Sequence, residues 1–128
     1  MEELTLGIET MDETHAEFLQ RLSLLKAASD SNFVEGFSAL VEHTEAHFAM
    51  EEEMMRSLGF YGLQEHRDEH ETLLSEMRYF LQKARKLPPF GRSYIDDYAY
   101  EKFRRHIINI DSQLAMFLKT HETGTVHG

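Results

Sequence analysis

Apolar residues recur at steps of three and four through four long stretches of the chain, and no stretch of any length alternates in twos. The first stretch, about residues 11–29, opens on Thr10-Met11-Asp12-Glu13, a capping-box pattern, and carries Met11, Phe18, Leu19, Leu22 and Leu25 on one face. Asp30-Ser31-Asn32 breaks it and offers the next N-cap. The second runs over about 33–58 with Phe37, Leu40, Val41, Phe48, Met54, Met55 and Leu58, and Gly59 is the expected stop. The third covers about 63–86, its stripe being Leu73, Leu74, Met77, Phe80, Leu81 and Ala84, and Pro88-Pro89 ends it, with Gly91 in the loop beyond. The fourth covers about 93–121, from a Ser93-x-x-Asp96 cap through Ile95, Tyr98, Ala99, Phe103, Ile107, Ile110, Leu114, Phe117 and Leu118. Four amphipathic helices joined by short loops predict an all-α, up-down-up-down four-helix bundle, and 128 residues suit a single domain.

Polar residues interrupt the apolar stripes at helical spacing. Extending the second stripe through Thr44 lands on His47 and Glu51, four residues apart and about 40° around the helix from one another. Stepping back along the third from Leu73 and Leu74 gives His70 and His66. His15 lies between Met11 and Phe18 on the first, and His106 and Asp111 follow Phe103 and Ile107 on the fourth. A lone histidine on an apolar face is ordinarily a hydrogen-bonded core residue. Five imidazoles and two carboxylates directed into one small core are different, because each buried polar atom without a partner costs on the order of 1–3 kcal/mol and an unpaired carboxylate more. A cation that takes them as ligands removes the cost. His106 and Asp111 are five apart, roughly 140° on an ideal helix, and so are expected to straddle the seam rather than chelate side by side.

Composition narrows the metal. There is no cysteine, which excludes thiolate zinc and iron–sulfur sites as well as disulfides, and fits a reducing, cytoplasmic setting. Five nitrogens and two carboxylates exceed what one tetrahedral zinc takes, while calcium and magnesium prefer oxygen. Neither His-Glu-x-x-His nor Glu-x-x-His occurs, so a zincin protease and the carboxylate-rich di-iron bundle are both disfavoured. The mixed set suits iron, with manganese open. Two octahedral ions offer about twelve positions. Five imidazoles, two bridging carboxylates and a bridging oxide or hydroxide leave one position vacant for a small diatomic ligand. A net charge of −10 argues against nucleic acid or an anionic membrane surface as partner, and no apolar run reaches the roughly 20 residues of a membrane span.

With these residues in place the chain resembles the bacterial hemerythrins. The matching elements are Gly7-Ile8 leading to Met11-Asp12-x-x-His15, then His47-Phe48-x-x-Glu51-Glu52, His66-x-x-x-His70 and His106-Ile107-x-x-x-Asp111, spread from about Leu4 to Leu118. The resemblance implies two iron ions held by His15, His47, Glu51, His66, His70, His106 and Asp111, with Glu51 and Asp111 bridging. It also implies reversible binding of dioxygen on one iron, as a carrier, store or sensor and not an enzyme. A di-iron redox enzyme acting on peroxide or nitric oxide, and iron storage, are the alternatives. The chain departs from the family in having no tryptophan, with Lys102 where one often stands before the fourth-helix histidine, and Leu114 where a tyrosine is common. A lysine there either snorkels outward or admits water to the site. Of the remaining residues, His43 is expected at the edge of its stripe, His121 and His127 at the exposed end, and Met50, Met54 and Met55 in packing. Glu51-Glu52-Glu53 is expected to divide into one inward ligand and an outward charged face, with Glu52 as acceptor behind a ligand imidazole the alternative.

Overall fold

The computed structural model describes residues 4–127, and the surroundings of side chains for residues 4–120. Three long helices come first: α1 (Glu9–Ala27), α2 (Asp30–Leu58) and α3 (Leu63–Lys86). The fourth arm of the bundle is segmented into α4 (Pro88–Asp97), α5 (Ala99–His106), a π-helical turn (Ile107–Asp111) and α6 (Ser112–His127). Among the described residues there is no strand, and α1 packs on α2, α2 on α3, and α3 on α4. The architecture is therefore the all-α bundle that the periodicity predicts. None of the described helices is long and apolar enough to cross a membrane.

The helix ends differ from the sequence expectation in instructive ways. α1 starts at Glu9, which puts Thr10 inside the first turn, and no side chain caps it in the usual manner. Instead the Asp12 carboxylate reaches back to accept the backbone N–H groups of Leu6 (2.8 Å) and Gly7 (3.1 Å). α2 starts at Asp30 rather than three residues later. The α1–α2 turn is held by Arg92 of α4, which donates to Asp30 Oδ1 at 2.9 Å and to the Ala28 carbonyl and lies over the Phe33 ring. Pro88-Pro89 does end α3, but α4 begins at once on the same prolines, whose fixed φ and missing N–H cost nothing in a first turn. The expected loop with Gly91 and a start at Ser93 is thus replaced by helix. α6 carries on to His127, past the expected end near His121, and the side chains of His121 and His127 lie outside the described residues.

Two glycines are required by geometry. Gly59 closes α2 in the left-handed region (φ 66°), where its own N–H and that of Phe60 bond back to Arg56 and Met55. Gly91 is buried where α4 crosses α3, and a Cβ there would stand 2.4 Å from the Cβ of Ala84.

The core is two apolar clusters with a polar layer between them. The larger contains Phe18, Leu22, Phe33, Phe37, Leu40, Met77, Ile95 and Phe103 among others, and the smaller is built on Met11, Met55, Phe60, Leu114 and Ala115. Each long arm passes through both clusters, so residues midway along it fall in the layer between. Met50, expected in packing, is exposed, as is Tyr98 at the break between α4 and α5, while Met55 is fully buried.

The Gly91 contact gives a direct test. Gly91→Ala should destabilise the fold by about 1–3 kcal/mol through overpacking against Ala84, Phe33 and the Phe80 carbonyl, read as a lower urea midpoint at unchanged slope. An unchanged midpoint would show that α4 does not lie this close to α3.

Candidate metal centre

The polar layer gathers all seven sequence-predicted residues. Glu51 of α2, His66 and His70 of α3, His106 of α5 and Asp111 at the end of the π turn each place a ligand atom within 4.8 Å of the others, and all five are buried. His15 of α1 joins through Asp111 Oδ2 at 2.9 Å, and His47 through Glu51 Oε2 at 3.4 Å. His47 is the most accessible, with 12% of its side chain exposed. His43 stays outside the cluster, half-buried and 3.8 Å from Glu17, in keeping with a stripe-edge place.

The imidazoles divide between the two oxygens of each carboxylate. Glu51 Oε1 faces His66 Nε2 (2.7 Å) and His70 Nε2 (3.2 Å), and Asp111 Oδ1 faces His66 Nε2 (3.0 Å) and His106 Nε2 (3.1 Å). The other oxygens, Glu51 Oε2 and Asp111 Oδ2, turn toward His47 and His15. Three imidazoles therefore lie on one side of the carboxylate pair and two on the other.

The π turn explains how His106 and Asp111 share a side. Its backbone bonds run i→i+5 and widen the turn, so residues five apart come nearly into line. The expectation that this pair must straddle the seam assumed an unbroken α-helix and is corrected here: the two meet at 3.1 Å. The signal was available in the spacing itself, since two core-facing residues five apart in a helix call for one inserted residue.

Hydrogen bonding among these groups is incomplete. Both oxygens of Glu51, Nε2 of His70 and Nε2 of His106 are buried without a hydrogen bond, although each has a neighbour of the cluster close by. Bare nitrogens and carboxylate oxygens converging in this way fit a bound cation, which would take these atoms together as ligands. The charges lean the same way. Burial alone would raise the carboxyls, yet His106, His15 and His66 hold Asp111 well below its usual range, and His66, His70 and His47 hold Glu51 below its own despite the neighbouring Asp111. Burial would lower His66, but Asp111 and Glu51 override it and push the imidazole up to about 9. His47 goes the other way, lowered chiefly by burial.

Aromatic rings wall the layer. Phe48 stacks on His70 with centroids 3.7 Å apart, and Phe103 meets His15 edge-on at 5.6 Å while stacking on Phe18 at 3.8 Å. Phe48 reads in the sequence as one more core position, and nothing in the pattern marks it as a cover for an imidazole. Lys102 turns outward to Glu76 Oε2 at 3.1 Å, over a cavity of about 20 Å³ bounded by Phe18, Thr44, Phe48 and Phe103. Leu114 is fully buried in the smaller cluster.

A helical bundle with a buried His/Glu/Asp cluster of this kind is the architecture of a cation-binding protein. Residues 6–118 match the family described as the hemerythrin HHE cation binding domain. The chain is 32% identical over 118 residues to a bacteriohemerythrin of Ralstonia nicotianae, covering 91% of this chain and 85% of that one. It is 24% identical over 134 residues to a bacteriohemerythrin of Stenotrophomonas maltophilia, covering 96% and 88%. No solved structure matches significantly. The chain belongs to the hemerythrin family and is a metal-binding, hemerythrin-like protein.

The raised His66 predicts a proton balance. In the metal-free chain the stability this group contributes is fully present below about pH 6.5 and is lost as pH rises through about 9, whereas that of Glu51 and Asp111 is lost as pH falls. At pH 8 metal uptake should therefore displace the His66 proton. Calorimetry in two buffers of different ionisation enthalpy should detect release of about one proton per chain, much reduced in His66→Gln. Equal heats in both buffers would show that metal uptake displaces no proton from His66 and would contradict its raised position.

Proposed function

We propose that the cluster holds two iron ions and binds dioxygen reversibly, as a carrier, store or sensor, with His15, His47, Glu51, His66, His70, His106 and Asp111 as ligands. The three-to-two division of imidazoles across the two carboxylates carries this reading. His66, His70 and His106, with Glu51 Oε1 and Asp111 Oδ1, furnish five ligand atoms for one ion. His15 and His47, with the opposite oxygens, furnish four for the other. Two ions held in this way would be unequally supplied by the chain, and the side with fewer protein ligands would be the one able to take a further small ligand. The bacteriohemerythrin name of the relatives favours iron over manganese for the same set.

The iron pair would supply the electrons that dioxygen needs in order to be taken up and given back. The chain's own part is to orient and to keep dry. Glu51 and Asp111 hold the two halves of the set together, and Phe18, Phe48 and Phe103 exclude water beside them. The cavity they bound has room for about one water-sized molecule. Lys102, paired with Glu76, keeps its charge at the rim. The pairing of Lys102 with Glu76 keeps a free ammonium from the layer on that side, which supports reversible binding over redox turnover.

The test begins with anaerobic reduction of the purified protein, followed by cycles of admitting and removing oxygen under visible spectroscopy. The expected result is a band that comes and goes with oxygen, in protein carrying about two irons per chain. A band that forms once and persists in an oxidised product would favour chemistry on peroxide or nitric oxide. Metal analysis far from two irons would overturn the di-iron reading. His106→Ala should lose at least one metal, and normal loading in that variant would contradict the assignment.

A further inference from the structure

His70 lies between two contacts that do different things to its ring. Phe48 stacks on it with centroids 3.7 Å apart and planes only 4° from parallel, which fixes the plane of the imidazole. Stacking is indifferent to a half-turn of the ring within that plane. Such a half-turn would exchange Nε2 for a carbon and take the ligand atom away from Glu51 Oε1, now 3.2 Å distant. The other contact breaks the degeneracy. Nδ1–H of His70 donates to Glu52 Oε2 at 2.8 Å, whereas Nε2 makes no hydrogen bond to Glu51 despite its closeness, so Nε2 is the nitrogen left with its lone pair facing the centre.

Glu52 is itself held. Its second oxygen lies 3.6 Å from Arg67 Nε, so the carboxylate spans an exposed guanidinium on α3 and a buried imidazole one turn further along the same helix. His15, His47 and His106 lack this arrangement. They leave Nδ1 without a hydrogen bond, and the carboxylate nearest His106 Nδ1, that of Glu69, stands 4.0 Å away.

We infer that Glu52 is a positioning residue for the metal centre: it sets the ring orientation and tautomer of His70 and, through its negative charge, makes that imidazole a stronger donor than those of His15, His47 and His106. Adjacent in sequence, Glu51 and Glu52 divide the work, one turned into the layer and the other reaching the back of His70 from the half-buried edge. A carboxylate behind a ligand imidazole raises the basicity of the ligand nitrogen, and its removal weakens metal binding by roughly 10–100-fold. The ion on the three-imidazole side is then the more tightly held of the two. The inference rests on the metal-centre reading above for its consequence, but its first step is a property of the chain without metal.

The test has two readouts. In the metal-free protein, nitrogen-15 correlation spectra of His70 with its ring neutral should show the hydrogen on Nδ1. In Glu52→Ala that preference should be lost, and in Glu52→Gln, which keeps an acceptor without the charge, it should be retained. In the metal-loaded protein, Glu52→Ala should release metal to a chelator about 10–100-fold more readily, with Glu52→Gln in between. An unchanged His70 tautomer in Glu52→Ala, or metal release equal to that of the unaltered protein, would overturn the inference. Should Glu52→Ala fail to fold, Glu52→Gln decides by its metal release alone, and release equal to the parent's counts against the role of charge. Failure of the parent protein to bind oxygen would count against the proposed function and leave the tautomer result standing.

Discussion

Two carboxylates buried at the centre of a helical bundle govern the organisation of this molecule. Glu51 and Asp111 are each at most 4% exposed, and among the described residues neither makes an ion pair with a lysine or arginine. An isolated carboxylate at such a place would take up a proton or unfold the core. What keeps both ionised is the ring of imidazoles from all four arms, and each imidazole has to arrive at the right height for that ring to close. The position of His15 on α1, of His66 and His70 on α3, and of His106 on the fourth arm is therefore a single joint requirement. The two apolar clusters above and below the layer supply the packing that meets it.

The π turn is part of the same requirement. His106 closes α5, and Asp111 must stand beside it while Ile107 and Leu114 stay fully buried in the clusters on either side. An α-helix cannot meet all three demands when the two ligands are five residues apart. One widened turn can, and it leaves α6 in register with the smaller cluster. The irregularity is thus confined to the stretch where the ligand spacing demands it, as π turns at functional sites commonly are.

Much of this was legible in the sequence because helical periodicity records which way a side chain faces. His47 and Glu51, like His66 and His70, lie on steps of four that the apolar stripe already defines, so their inward direction needs no tertiary information. Boundaries were less legible. The capping patterns at Thr10 and Ser93 are common motifs that lose to other partners: Asp12 binds the backbone ahead of α1, and the prolines at 88 and 89 serve equally to end one helix and begin another. Gly91 looks like a loop residue in sequence and is a packing residue in space, since the closeness of Ala84 depends on a partner helix. The π turn escaped for a related reason, the angle between His106 and Asp111 having been measured on an ideal helix. Lys102 is a different case, because its two possible directions have the same sequence signature and only the position of Glu76 on α3 separates them.

The rings around the layer join fold and site more closely than ligand geometry alone. Phe48 belongs to the stripe of α2 yet lies flat on an imidazole of α3, and Phe103 of α5 meets an imidazole of α1 while stacking on Phe18. Each of these aromatic contacts crosses between arms, so the orientation of a ligand ring is fixed by a residue whose other duty is to pack the core. Apolar packing alone does not distinguish the two faces of such a ring or the two ends of its nitrogen pair. Choosing between them takes a polar contact on the side away from the cluster, and among the described residues His70 has one to a side-chain carboxylate, whereas His15, His47 and His106 have no bond at Nδ1. Those three rings have no such bond at Nδ1 to settle their final orientation. The chain thus presents one half of the cluster with an imidazole already aligned, and leaves the His15 and His47 half freer to adjust.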